Sequence, residues 1–247
     1  MKMICKMRGG SHSYGLNTHE SDEDFRGVFV NDDVGTIIGL DRFEHKVTKN
    51  ETEDSVYWEL RHFLNMLRRG NTQALEMLFN QHWISIDPLF NKLINNRLRL
   101  IDTTKVHSSL TGYIYSELKL ANGEHTGKLG GKRKEQIDRL GFSPKNFVQL
   151  IRLTYCGTEF FKTRQFPVNL QDYAPMLATN LLRVKTHPEE FDKTILNAWV
   201  DRLKADMHVA FDRLPPAGYL YFDVDLANRL LVEAYMPVLQ NYAPVAQ

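Results

Sequence analysis

The chain has only two cysteines, Cys5 and Cys156, in 247 residues. Two thiols cannot build a disulfide framework, and a reduced, cytoplasmic setting is the expectation. No run approaches the roughly 20 apolar residues of a membrane-spanning helix, so no membrane partner is expected. The opening Met1-Lys2-Met3-Ile4-Cys5-Lys6-Met7-Arg8 lacks the apolar core of a secretory signal. Charge of one sign is not in excess either. The formal net charge is +1, so no global field advertises nucleic acid, although a local patch stays open. The nine histidines form no His-Glu-x-x-His pattern, and no Cys-rich spacing suits zinc. A Walker loop is excluded. Thr126 stands where its first Gly belongs, and Arg133 where Ser or Thr would meet Mg²⁺. Ser13 has no neighbouring His/Asp arrangement that would make it a nucleophile. Internal repeats and low-complexity tracts are lacking too.

The apolar share of 43% and charged share of 25% are those of an ordinary globular protein with ample core. Residues 1–8 read as a first strand, and 11–16 as a turn or short helix. Asp24 to Asn31 is rich in β-branched and aromatic residues and reads as a second strand. Residues 34–50 are ambiguous, a loop with a short helical turn. Glu53 to Tyr57 reads as another strand. Leu60, Phe63, Leu64 and Leu67 recur at helical spacing, and Gly70-Asn71 ends that helix. Thr72 is the expected cap of the next one. The remainder is mainly helical, with segments at 106–121, from Ser143-Pro144 onward, at 190–211, and after Asp223 or Asp225. Asn122 to Lys134 reads as a Gly-rich basic loop. The fold class is α+β: a small sheet with helices, then a helical region. A soft boundary near residue 100 separates 1–100 from 101–247.

Two carboxylates one residue apart on a strand point to one face. Asp22 and Asp24 have that spacing, a short reach from the Gly10-Ser11 turn. A Gly-Ser turn can hold a triphosphate. Mg²⁺ favours one or two carboxylates plus substrate phosphates over an all-protein cage. The pattern therefore points to metal-assisted phosphoryl chemistry, against the plainer alternative of a solvated acidic turn. Candidates for a third carboxylate are Asp54, Glu53 and Glu51.

The whole segment from Gly10 to Gly27 fits Gly-Ser-x-x-Tyr-Gly-x-x-Thr-x-x-Ser-Asp-x-Asp-x-Arg-Gly. It resembles the RlaP-like predicted nucleotidyltransferases of the DNA polymerase β-like superfamily. Two later stretches are similar to that family as well: Asp54 to Phe63 with Gly70 to Leu78, and Gly141 to Leu153. Glu23, Thr72 and Gln149 depart from the family's usual apolar residue, Pro and His. The resemblance implies a nucleotidyltransferase-type mixed sheet followed by a helical domain. It implies an NTP substrate, two Mg²⁺ ions, and transfer of NMP to a hydroxyl with release of pyrophosphate. It points to Asp54 as the third carboxylate beside Asp22 and Asp24, all three catalytic and metal-binding. Gly10, Ser11, Tyr14, Lys145 and Arg152 would bind the nucleotide, with Arg26 and Glu76 in support. RNA, tRNA-like, is the favoured acceptor over protein. An inactive nucleotide-sensing or partner-binding module is the alternative, as is an enzyme that nucleotidylates a protein.

Overall fold

The computed structural model describes residues 1–40, 43–49, 53–124 and 131–241. Glu51 and Lys128 lie outside the described residues, as do the side chains of Glu53, Lys132 and Arg133. The protein is α+β and divides into two compact units. One comprises Met1–Asp102 with Leu220–Gln247, the other Thr103–Tyr219. The sequence reading kept 101–247 together; the last helix instead groups with the sheet.

The first unit begins with β1 (Lys2–Arg8), α1 (Gly10–Tyr14), β2 (Glu23–Val30) and α2 (Val34–Ile38). Then come β3 (His45–Lys49), β4 (Glu53–Glu59), α3 (Leu60–Arg68), α4 (Thr72–Phe79), β5 (Trp83–Ile86) and α5 (Pro88–Asn95). The strand order is β3-β4-β2-β1-β5. Strands β1 and β2 are antiparallel, as are β1 and β5, and β3 and β4. Only β2 and β4 run parallel among the described residues. Parallel neighbours need a long crossover; here it contains α2 and β3. The expected ambiguous stretch 34–50 thus holds a helix and an edge strand. The sequence reading also passed over β5, the other edge.

Helix α3 buries Leu60, Phe63, Leu64 and Leu67, the spaced apolar set expected for it. Phe63 lies against Phe90 of α5, with ring centroids 5.8 Å apart. Burying such a ring contributes about 2–3 kcal/mol. Thr72 is not the cap of α4. Asn71 is, and its side chain accepts from the Ala74 N–H. Gly27 of β2 is a close-approach position. A Cβ there would lie 2.5 Å from the Cys5 carbonyl oxygen on β1. Burial pushes the Cys5 thiol well up, so it is an inert core group.

The second unit contains α6 (Thr103–Ala121), α7 (Gly131–Leu140), α8 (Pro144–Thr163), α9 (Leu170–Tyr173), α10 (Pro175–Thr186) and α11 (Lys193–Asp212). Helix α8 is its centre and packs on α6, α10 and α11. The expected basic loop reaching Lys134 is helical from Gly131 onward. The chain then returns to the first unit with α12 (Val224–Gln240), capped by Asp223. No helix among the described residues is long and apolar enough to cross a membrane.

A histidine pair joins α6 to α11. His107 Nε2 lies 2.9 Å from His208 Nδ1, and the His107 ring stacks on Phe211 at 3.9 Å. Burial first, then the neighbouring His208, hold His107 below its ordinary value of 6.5, while Asp212 works the other way. A depressed folded-state value means that the unfolded chain takes the proton first. This contribution to stability is full above pH 6.5 and is lost as pH falls below it. The thermal unfolding midpoint should therefore drop between about pH 7.5 and about pH 5.5. His107→Phe, which keeps the stack, should flatten that slope. An unchanged slope in the variant would assign the acid sensitivity elsewhere.

Candidate active site

Gly9 and Gly10 carry the chain from β1 into α1. The Gly9 N–H donates to the Asp24 carbonyl at 2.8 Å, which ties this turn to the start of β2. Gly10 sits at φ +56°, and a Cβ on it would fall 1.8 Å from Asp24 Oδ2. The Asp24 carboxylate is thus packed against a bare glycine backbone. Ser11 is half-buried in α1, and its hydroxyl has no protein partner among the described residues. Beside it, His12 Nε2 is buried with no hydrogen-bond partner among the described residues. The sequence reading assigned His12 nothing; a polar ring inside the glycine turn was the available signal.

The parallel register sets Asp24 of β2 directly beside Asp54 of β4. Cross-strand neighbours share a face, and so do residues two apart on one strand. Arg26 therefore shares the face of both carboxylates. Its Nη2 lies 3.9 Å from Asp24 Oδ1 and its Nη1 4.0 Å from Asp54 Oδ1. The same Nη1 donates to the carbonyls of Phe25 at 2.7 Å and Asp54 at 3.1 Å. The guanidinium occupies a cation position between two carboxylates. Asp22 is exposed and precedes β2 rather than lying within it. Glu23 pairs with Arg8 at 3.1 Å.

Among the described residues, no three His, Cys, Asp or Glu side chains converge on one ion position. Asp24 and Asp54 form a cross-strand pair of hard oxygen donors. Such a set fits Mg²⁺, which takes few protein ligands and completes its shell with water and phosphate.

A small recess opens beside the turn, lined by Gly9, Gly10, Tyr14, Arg26, Gln73 and Glu76 among others. Glu76 is buried, not a surface residue, and accepts from the Tyr14 hydroxyl at 3.0 Å. These two sites, 62 residues apart, meet in one wall. Tyr14→Phe would take this donor from a buried carboxylate, at a cost of about 1–3 kcal/mol. Urea unfolding should report a lower midpoint at unchanged slope. Glu76→Gln, whose amide oxygen still accepts, should cost less.

Lys145 and Arg152 belong to the second unit and do not share a solvated face. Lys145 is exposed, whereas Arg152 is fully buried with Nε donating to Gln149 Oε1 at 3.2 Å. Of the two basic residues expected to bind the nucleotide, Arg152 is thus enclosed within its own helical unit. Lys145 instead neighbours Lys185 of α10. Burial, and then the Lys145 charge, hold the Lys185 ammonium below the usual lysine range.

Known proteins bear on this arrangement in two ways. An uncharacterised 38.9 kDa protein of Enterobacteria phage T4, from its nrdC-mobD intergenic region, is 29% identical over 125 residues. The matched stretch is 46% of this chain and 37% of the phage protein, so the chain spans well under half of that relative's length. The profile of the family described as RlaP, RNA repair pathway DNA polymerase beta family, matches residues 1–232. With the glycine turn, the Asp24–Asp54 pair and nearly the whole chain under that profile, the protein belongs to the RlaP family.

Proposed function

We propose that the protein is a Mg²⁺-dependent nucleotidyltransferase that moves NMP from an NTP to a hydroxyl acceptor and releases pyrophosphate. Membership in a DNA polymerase β-like family supports a nucleotidyltransferase-type activity. The observation that carries the reading furthest is the Asp24–Asp54 pair packed against Gly10. In this reading Asp22, Asp24 and Asp54 hold the metal. When bound, Mg²⁺ would neutralise charge on the α-phosphate and leaving pyrophosphate and acidify the attacking hydroxyl. Ser11 and the Gly10 backbone contact the triphosphate. Arg26 offsets the mutual repulsion of Asp24 and Asp54. Tyr14 and Glu76 brace the wall of the turn. The acceptor oxygen bonds to the α-phosphorus as the bond to the bridging oxygen of pyrophosphate breaks. The hydroxyl proton leaves with solvent.

RNA is the proposed acceptor, tRNA-like, a choice supported by the words RNA repair in the family's description. Lys145 and Lys185 would contact its backbone. The test is incubation of the protein with each α-³²P-labelled NTP, Mg²⁺ and total cellular RNA or protein. A labelled RNA band supports the reading and names the donor. A labelled protein band replaces the acceptor. No transfer to either, with NTP binding intact, would leave a nucleotide-sensing module.

A further inference from the structure

At the far end of the parallel pair the structure has a second polar recess. Its lining includes Asn31, just past β2, Glu59, Arg61 and His62 at the start of α3, and Tyr235 of α12. All of these residues belong to the first unit. Asp24 and Asp54 are the second residues of β2 and β4, whereas Glu59 ends β4 and Asn31 directly follows β2. Six residues of strand lie between Asp24 and Asn31, a distance of roughly 23 Å at the strand rise. This recess is therefore separate from the turn at Gly10.

Its carboxylates are already engaged. Glu59 is buried and caps α3, accepting from the Arg61 N–H at 2.8 Å and the His62 N–H at 3.4 Å. It also accepts from the Tyr235 hydroxyl. Glu44 lies against His62, with Oε2 3.4 Å from Nδ1. Arg61 has no carboxylate partner among the described residues. Its Nη2 donates to the Ile37 carbonyl at 2.9 Å, and its plane sits 5.3 Å from the Tyr235 ring centroid. Those two contacts hold the fork still and leave further N–H groups unspent. Asn31 is only 8% exposed. Its Oδ1 accepts from the Asp33 N–H at 3.2 Å, but its Nδ2 has no acceptor among the described residues. An amide donor without a protein acceptor among the described residues, and a guanidinium with no carboxylate in ion-pair contact, thus line one recess beside the engaged Glu59 and Glu44. Such donors suit an anion with several acceptor oxygens.

We propose that this recess is a second ligand site, holding an oxyanion group, phosphate or carboxylate, between the Arg61 guanidinium and the Asn31 amide. The fork of Arg61 matches the planar edge of such a group. Because α12 supplies Tyr235, occupancy would also brace the C-terminal helix on α3.

The experiment is a ¹⁵N–¹H correlation titration of the full chain with inorganic phosphate and, separately, acetate. The Asn31 side-chain amide signal, assigned by its loss in Asn31→Asp, should shift saturably, with the Arg61 and His62 backbone amides. A response to phosphate alone or to acetate alone supports the site and names the group. Asn31→Asp keeps the Oδ1 acceptor but turns the donor into a charged oxygen, and Arg61→Gln removes the cation. Each should weaken binding by roughly tenfold or more, the loss of one charge-assisted hydrogen bond. Asp24→Asn should leave these shifts unchanged, which separates this site from the one at Gly10. The proposal is overturned by shifts confined to residues 9–14, by no shift with either ion, or by equal affinity in a folded Asn31→Asp protein.

Discussion

Asp24→Asn is expected to reduce nucleotidyl transfer by about a thousandfold or more while the protein stays folded. A metal-held phosphoryl transfer state gains several kcal/mol from charge neutralisation, and each 1.4 kcal/mol is tenfold in rate. The amide nearly keeps the shape of the carboxylate, so the contact with Gly10 survives. Gly9 hydrogen-bonds to the Asp24 backbone carbonyl, which the substitution leaves in place. Arg26 then loses one of its two carboxylate neighbours. A readout independent of activity accompanies the rate. Mg²⁺ with NTP should raise the unfolding midpoint of the parent protein, and raise that of Asp24→Asn much less. Full activity, or equal stabilisation by Mg²⁺ and NTP, would remove Asp24 from the metal site.

Gly10→Ala is expected to damage both stability and function by adding a single methyl group. Two costs combine. The backbone at φ +56° is a left-handed conformation that costs an L side chain about 1–2 kcal/mol. The new Cβ would also fall 1.8 Å from Asp24 Oδ2 and 2.8 Å from Asp24 Cγ. A short side chain cannot yield that much and keep its carboxylate in place. Stability should therefore fall by roughly 1–3 kcal/mol. NTP affinity and transfer should fall far more than that loss of stability explains. Gly112→Ala is the control. It lies in α6, nothing stands within 4 Å of its added Cβ, and its backbone carries no positive φ. Alanine there should stabilise by about 0.5–1 kcal/mol. Denaturant unfolding of both variants, with calorimetric NTP titration, separates strain from binding. Wild-type NTP affinity in Gly10→Ala would move the triphosphate away from this turn.

Local features were legible because each depends on residues a few positions apart. The apolar spacing of Leu60 to Leu67 sets α3, and Ser143-Pro144 marks the start of α8. Asp223 caps α12 as one of the two candidates expected. The edge strands were not legible for a physical reason. Most described side chains of β3 and β5 are exposed, so neither carries the alternation that betrays a half-buried strand. Thr72 and Asn71 are both plausible caps by type. Which one caps is decided by one turn of backbone geometry.

The sequence by itself determined that the chain is α+β, that it has no apolar segment long enough for a transmembrane helix, and that a glycine turn leads into two spaced aspartates. Only the tertiary structure decided which distant groups meet. Asp54 stands beside Asp24 because β2 and β4 pair in parallel across a crossover. Tyr14 reaches Glu76 because α1 and α4 line one recess. Arg152 is buried because α8 is the centre of the helical unit, although its residue type belongs on a surface. Asn31, Arg61 and Tyr235 converge because the chain returns to the sheet after Tyr219. Periodicity and caps are short-range quantities. Register, burial and return of the chain are set by the packing free energy of the whole fold, which no short window of sequence contains.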